Sequence, residues 1–211
     1  MSPRPYQLGQ RQVMIEQTRM RILNAARELL TEPQGITGFS LDAVAKRADV
    51  ARMTVYYQFG SKVGLLEALS DMLASQGGME DMSRAFTQPD AREGLLAYVA
   101  IFCRFWETNR LVTRRLNALT ELDPELAQVM QARNERRRQG LSVLIERYSA
   151  RNSLLPSDKE AIIDSLFTLL SFACCDMLAG PAHSITDVIP LIQRLALSIL
   201  ALPGLEPSNT A

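Results

Sequence analysis

The segment 52–58 carries side chains that suit the major groove of DNA. Its exposed candidates are Arg52, Met53, Thr54, Tyr56, Tyr57 and Gln58. Arginine can bind the edge of guanine, glutamine can bind adenine, and methyl groups can contact thymine. Val55 and Phe59 are four residues apart and would face a protein core in a helix. The segment therefore predicts a short helix with a base-reading surface.

Neighbouring elements must hold that surface in place. Ser40 is a candidate N-cap, because its hydroxyl can accept a hydrogen bond from an unpaired N–H of a first helical turn. Apolar residues then repeat at helical spacing up to Ala48, and Asp49 tolerates the left-handed backbone that ends a helix. A second helix over residues 52–59 would stop at Gly60. Two short helices joined by a tight turn predict a helix-turn-helix.

Lys62 lies just after this motif, in the first turn of a third helix that Ser61 would cap. A cation at a helix N-terminus opposes the helix dipole. A phosphate beside that terminus would satisfy both the dipole and the lysine. Lys62 is therefore a candidate phosphate contact.

Several blocks of this region resemble one protein family. Residues 54–62, followed by Leu65 and Leu66, look like the T-(L/I/V)-Y-x-x-F-x-S-K-x-x-L-L core of the TetR family of one-component transcriptional regulators. Segments 22–26 and 43–50 are similar to the family's I-L-x-A-A and x-I-A-x-x-A-G-V blocks. The resemblance spans about residues 15–75, and its blocks fall in order at the right spacing, which makes it more specific than an isolated motif.

The sequence departs from the family pattern at three positions. Asp49 stands where the family usually has glycine, and Met53 stands where a small residue is common. Ala51 stands where serine is usual, so the recognition helix lacks a capping side chain, a loss of typically ~1 kcal/mol. The fold should tolerate these changes, but the base preference of relatives does not transfer.

The resemblance implies an all-α protein with a helix-turn-helix head and a C-terminal helical bundle for dimerisation and ligand binding. It implies a homodimeric, sequence-specific transcriptional repressor that a small-molecule effector releases from a palindromic operator. The residues expected at DNA are Arg52, Met53, Thr54 and Tyr56 for bases, Tyr57, Lys62 and Thr18 for phosphate, and Ser40 beside them.

The domain organisation follows from the same pattern. We expect a flexible N-terminal arm over residues 1–14, a DNA-binding domain over 15–75 with its motif at about 40–59, and a C-terminal domain over 76–211. The arm could lie in a minor groove or be disordered without function. Residues 1–62 carry nine Lys/Arg and five Asp/Glu, and this basic excess is typical of a DNA-binding domain, although ordinary surface charge could also produce it.

Helical patterns continue through the C-terminal domain. Helices are predicted over about 90–107, 109–119, 123–149, 156–178 and 186–202. The last two are apolar nearly all round, and such helices must be buried on all sides. Two from each of two chains would make a four-helix dimer interface. The residues assigned to it are Leu166, Leu170, Phe172, Leu191, Leu195 and Ile199.

A ligand pocket is a further candidate in this domain. Tyr98, Phe102, Phe105 and Trp106 concentrate aromatic side chains on one helix. Such rings are equally typical of a packed core, but the family resemblance favours a pocket for an apolar or aromatic molecule. The alternative is a DNA-bound protein whose C-terminal domain docks a protein partner and has no effector. An arginine cluster at 136–138 is interpreted as a solvated helix face.

Other chemistries find little support in the sequence. The one histidine, His183, has no ligand-spaced partner, which excludes a recognisable metal site. No G-x-S-x-G, phosphate loop or G-x-G-x-x-G occurs, so we expect neither an enzyme nor a cofactor. Three cysteines do not make a disulfide framework. The polar N-terminus and the absence of a membrane-length apolar run predict a cytoplasmic protein with no membrane partner.

Overall fold

The computed structural model describes residues 4–152 and 155–201. In those residues the chain forms eleven α-helices and one short 3-10 helix, and no strand, which confirms the predicted all-α class. The first four helices are α1 (Arg4–Thr31), α2 (Leu41–Arg47), α3 (Arg52–Phe59) and α4 (Lys62–Gln76). The 3-10 helix is Met79–Asp81, and the remaining helices are α5 (Met82–Thr87), α6 (Ala91–Thr108), α7 (Arg110–Thr120), α8 (Pro124–Asn152), α9 (Pro156–Leu169), α10 (Phe172–Ala179) and α11 (Ile189–Leu200).

These helices belong to two compact units. The first comprises the residues up to Leu73 together with Leu111–Val129, and the second comprises Ala74–Arg110 and the chain from Met130 onward. The sequence predicted a single division after residue 75, so the structure differs in the segment 111–129. Its apolar spacing defined a buried face for α7 but could not say what would cover that face.

The N-terminal segment is helical, which differs from the prediction. Helix α1 begins at Arg4, so the prediction of a flexible arm over residues 1–14 is wrong from that residue onward. Pro5 lies in the first turn, where a residue without an N–H loses no hydrogen bond and its fixed φ suits a helix. The side chains of residues 10–17 are all exposed, so this segment has no buried apolar stripe that would have indicated a helix from the sequence.

The first unit has a small core that fixes the helix-turn-helix. Helix α2 packs against both α1 and α3. Each of the first four helices contributes side chains that are almost completely buried, among them Ile22, Leu30, Val44, Val55, Leu65 and Leu69. These burials orient α3, so that the side not occupied by Val55 remains outward.

The second unit is organised around α6. This helix packs against α5, α10 and α11, and its buried residues include Leu95, Val99 and Cys103. Asp90 caps α6, because its side chain accepts from the Arg92 N–H at 2.9 Å. A Cβ added at Gly94 would lie 2.6 Å from the Ala85 carbonyl oxygen, so glycine permits the close approach of α6 to α5.

The predicted single helix over residues 156–178 is wrong, because the chain breaks into α9 and α10 at Leu170 and Ser171. The Ser171 hydroxyl accepts from the Cys174 N–H at 3.2 Å and so begins a new helix. In the described ranges no single helix is long and apolar enough to cross a membrane; α9 and α10 would be so only together, and they are bent by 54°. The predicted end of the last helix at residue 202 lies outside the described residues.

Candidate nucleic-acid interface

The two helices and the turn of the helix-turn-helix lie where the sequence predicted them. The Ser40 hydroxyl accepts from the Ala43 N–H at 3.2 Å and caps α2. Asp49 has φ 52°, the left-handed backbone expected at the turn. Ala51 precedes α3 with extended backbone and contributes no side-chain hydrogen bond, and Gly60 ends α3 with φ 72°.

Helix α3 is anchored on one side and exposed on the other. Val55 has no exposed surface, whereas Tyr57 is 81 % exposed, Tyr56 is 54 % exposed and Met53 is 52 % exposed. Arg52 is exposed as well, and Thr54 and Gln58 are half-buried. The predicted base-reading side chains therefore share the outward surface of one short helix, and an apolar anchor fixes its rotation.

The C-terminal end of α3 is held by a residue that the sequence analysis did not identify. The Arg19 guanidinium lies 4.6 Å from the centre of the Phe59 ring, and its Nη1 donates to the Gln58 carbonyl at 3.3 Å. Phe59 was predicted to face the core, but it is half-buried, and this arginine covers its ring. No motif signalled Arg19; only its position on α1 brings it there.

The junction of α3 and α4 places Lys62 beside a helix N-terminus, as predicted. The Ser61 hydroxyl accepts from the Gly64 N–H at 3.0 Å and caps α4. The Lys62 Nζ lies 5.9 Å from the centre of the Phe39 ring, a distance at which a cation is attracted by the ring. A Cβ at Gly64 would lie 2.2 Å from the Phe59 carbonyl oxygen, so this junction requires a glycine.

Two hydroxyls assigned to DNA already have partners within the chain. Thr18 donates to the Met14 carbonyl oxygen at 2.9 Å, and Ser40 serves as the α2 cap. A phosphate oxygen can only accept, so a Thr18 contact to phosphate would require its hydroxyl to turn away from Met14. The Ser40 hydroxyl keeps its proton available, because it accepts in the cap.

Ion pairs modify the charge of this surface. Arg47 pairs with Glu28 at 3.3 Å and with Glu32, and hydrogen bonds to these two carboxylates raise the pKa of Arg47. Arg52 Nη1 lies 3.4 Å from Asp42 Oδ2, and both side chains are about two-thirds exposed. Two carboxylates therefore neutralise the charge of Arg47. Arg52 has one acidic partner and remains exposed on the outward surface of α3.

The four aromatic residues assigned to a ligand pocket lie in the second unit and pack on one another. The rings of Tyr98 and Phe102 are 4.8 Å apart, and those of Phe105 and Trp106 are 4.7 Å apart. The Tyr98 hydroxyl donates to the Arg137 carbonyl at 2.7 Å, and burial raises the pKa of Tyr98. Both Tyr98 and Phe102 are nearly completely buried, so these two rings form part of the core.

An open cavity occurs elsewhere in the second unit. It has a volume of about 400 Å³ and is lined by side chains of α6 and its neighbours, including Arg84, Glu93, Arg104 and Gln193. None of the four predicted aromatic residues lines it. In the described ranges, no group of three His, Cys, Asp or Glu side chains is placed to hold a metal ion.

The residues assigned to a dimer interface divide into two groups. Leu166, Leu170 and Phe172 are buried within their own chain, so their assignment to an interface is wrong. All three belong to the hydrophobic core cluster of the second unit. The other three, Leu191, Leu195 and Ile199, recur every fourth residue along α11 and remain partly exposed. Sequence analysis missed Met177, which is 80 % exposed on α10.

Comparisons with known proteins agree with the sequence resemblance. Residues 22–69 match the model of bacterial regulatory proteins of the tetR family. The HTH-type transcriptional regulator SrpR of Pseudomonas putida is 41 % identical over 54 residues, which are 26 % of this chain. The match spans about a quarter of the length of SrpR.

Solved structures resemble the fold over most of the chain. A TetR-family regulator from Syntrophomonas wolfei has a TM-score of 0.74 at 17 % identity, covering 92 % of this chain and 99 % of that one. A regulator from Saccharomonospora viridis, solved in complex with choline, has a TM-score of 0.65 at 18 % identity, covering 88 % of this chain and 96 % of that one. At identities this low, the structural likeness shows a shared fold and nothing further.

Proposed function

We propose that the chain is a TetR-family, sequence-specific DNA-binding transcriptional regulator, since residues 22–69 match the tetR family model and the fold resembles that of solved TetR-family regulators. The observation that carries the proposal is the exposed surface of α3. A buried valine fixes the rotation of the helix, and Arg52, Met53, Tyr56 and Tyr57 lie outward. A cation, an apolar group and aromatic hydroxyls on one short helix suit the edges and backbone of a major groove.

The proposed complex is a homodimer on a palindromic operator. Each of two α3 helices enters one of two successive major grooves, whose spacing of ~34–36 Å sets the separation of the half-sites. Arg52, Met53, Thr54 and Tyr56 read bases. Tyr57 and Lys62 hold phosphate, with contributions from Thr18 and Ser40 where their hydroxyls can reach the backbone.

We further propose that the regulator is a repressor controlled by a small molecule. An effector that binds more tightly when the two heads are wrongly spaced for DNA lowers DNA affinity by linkage, typically by ~1–3 kcal/mol. The related structure from Saccharomonospora viridis holds choline, which supports a ligand-binding role for this fold. In this chain the open cavity beside α6 offers about 400 Å³ for such a molecule.

The packed aromatic cluster favours a second candidate function. If the core has no room for an effector, the C-terminal domain could instead dock a protein partner while the head binds DNA. The exposed apolar side chain of Met177 would then belong to a docking surface. A ligand that shifts the thermal midpoint and weakens operator binding would support the sensor; an operator complex insensitive to every ligand that binds would support the docking protein.

The test of the DNA-binding role compares two substitutions on operators selected from random DNA. Arg52→Ala should relax the base preference at one position of each half-site, by ~1–3 kcal/mol if the contact is bidentate. Lys62→Ala should weaken binding to all sequences alike and reduce the salt slope by about one. The two variants therefore separate base recognition from phosphate binding.

Arg92→Ala supplies a matched control, since Arg92 is an exposed arginine of the second unit. It removes the same charge and should leave both the base preference and the salt slope unchanged. If the wild-type protein enriches no sequence, or if the Arg52 and Arg92 variants behave alike, the proposed role of α3 is wrong.

A further inference from the structure

An acidic side chain lies on the surface that we propose for DNA. Asp42, in the first turn of α2, has a side chain that is 64 % exposed. Its Oδ2 lies 3.4 Å from Nη1 of Arg52, the first residue of α3. A carboxylate here repels the phosphates of a nearby duplex and so lowers the affinity for DNA. Its position beside a base-reading arginine therefore calls for a compensating role.

The other acids nearby are placed differently. Glu28 and Glu32 pair with Arg47, which is the last residue of α2 and not a residue of α3. Asp49 occupies the left-handed position of the turn between the two helices. In the part of the chain that the structure describes, the ion pair of Asp42 with Arg52 joins α2 to a base-reading residue of α3.

Two features of α3 explain what such an acid would do. Ala51 supplies no capping side chain, and Arg52 is a cation in the first turn, where it opposes the helix dipole. An arginine side chain also has several rotatable bonds and loses rotamer freedom when it binds a base. A carboxylate on Nη1 reduces both costs, because it compensates the charge and limits the rotamers before DNA arrives. Nη2 and Nε remain free to donate to a guanine edge.

We infer that Asp42 is a positioning residue that orients Arg52 for base recognition. The inference rests on the proposed DNA-binding function and adds to it a residue whose charge is unfavourable for DNA affinity. It predicts that Asp42 contributes sequence preference and lowers overall affinity. The two effects have opposite signs, so one substitution can reveal both.

The experiment uses the full-length protein and pools of random DNA, with enriched sequences counted before and after binding. Asp42→Asn should lower the preference at the base pair read by Arg52 by about 2- to 5-fold, the range expected for losing an exposed ion pair. The affinity for DNA should otherwise rise by the same factor for all sequences, since one negative charge is removed. Asp42→Glu, which can still reach the guanidinium, should restore the preference.

The matched control is Asp49→Asn, which changes the net charge by the same amount in the same motif. Asparagine also tolerates the left-handed backbone of that position. This variant should tighten binding uniformly without changing the preference at the Arg52 position. Adding Asp42→Asn to Arg52→Ala should likewise leave the remaining preference unchanged, because there is no guanidinium to orient.

The outcomes separate this inference from the function on which it rests. If the wild type enriches no sequence, the proposed function fails and the inference fails with it. If the wild type enriches an operator and Asp42→Asn matches Asp49→Asn at every position, the function stands and the positioning role is overturned. Asp42 could also stabilise α2 through its dipole, but loss of that role would not single out one base pair.

Discussion

At the residue scale, Arg137 shows how the second unit accommodates a buried cation. Its side chain is only 8 % exposed, and no carboxylate among the described residues pairs with it. Its Nη1 donates to the carbonyls of Leu170 at 2.7 Å and Phe167 at 3.3 Å, and the guanidinium stacks 4.1 Å from the Phe167 ring. These carbonyls end α9, where the helix dipole is negative and backbone acceptors lack partners. Burial lowers the pKa of Arg137, and the helix terminus supplies the compensating partial charge.

This arrangement predicts that Arg137→Met destabilises the protein by about 2 kcal/mol, because two charge-assisted hydrogen bonds are lost and the partly buried Phe167 carbonyl loses this donor. The relief of desolvation offsets part of that loss. Urea unfolding can be followed by the fluorescence of Trp106, the one tryptophan of the chain. Its indole N–H donates to the same Leu170 carbonyl at 3.1 Å, so the probe reports on this site.

The neighbouring Arg138→Met is the matched control. Arg138 pairs with Asp164 near the surface, and an exposed pair contributes about 0–1 kcal/mol. Equal unfolding midpoints for the two variants would show that Arg137 does not hold the end of α9.

At the element scale, arginines close helix C-termini at several points of the second unit. Arg137 does so for α9, Arg110 donates to the Gly180 carbonyl after α10 at 2.6 Å, and Arg147 donates to the Phe86 carbonyl of α5 at 2.7 Å. Each comes from a different part of the chain than the helix that it caps. The short helices α5 and α10 therefore depend on tertiary partners more than on their own sequences.

The two caps of the helix-turn-helix give opposite predictions. Ala51→Ser should stabilise the first unit by ~0.5–1 kcal/mol, since the extended backbone at Ala51 already suits a capping hydroxyl. Ser40→Ala should destabilise it by ~1 kcal/mol, since it removes the hydrogen bond to the Ala43 N–H. Thermal unfolding of each variant measures both changes. Ala51→Val, which adds bulk without a hydroxyl, should give no gain, and a gain equal to that of serine would rule out capping as the cause.

Local signals explain which elements could be predicted. The cap at Ser40 and the stop at Gly60 act on their own helices, so residue type and spacing were sufficient to predict them. The break at Ser171 was missed because serine is also tolerated inside a helix, and tertiary packing decides between the two.

Arg137 was missed for a different reason. The cluster at 136–138 was interpreted as a solvated face, but Arg137 lies four and seven residues before the buried Leu141 and Leu144. Helical spacing therefore placed one arginine of the run on the inward side. The sequence contained that signal, whereas the acceptors at the end of α9 depend on long-range packing. The same limit applies to Arg19 over Phe59 and to the packing of the four aromatic rings.

At the scale of the whole molecule, α11 presents two apolar edges with different environments. Ile192, Ala196 and Leu200 are buried in the second unit. Leu191, Leu195 and Ile199 form the adjacent edge, and Leu195 is 38 % exposed. An apolar edge repeated every fourth residue can pack against its own copy about a two-fold axis, and we propose that it forms part of the dimer interface.

The proposed interface predicts that Leu195→Glu converts the dimer to a monomer, because a charge buried without a partner is strongly unfavourable. Light scattering after size-exclusion chromatography measures the mass of each variant in solution. Operator affinity should fall as well, since two half-sites bound by a linked pair benefit from a high effective concentration that separate monomers lack. Leu122→Glu is the control, because Leu122 is 74 % exposed and lies in the first unit. A Leu195→Glu protein that remains dimeric would exclude this edge of α11 from the interface and direct attention to the exposed Met177 on α10.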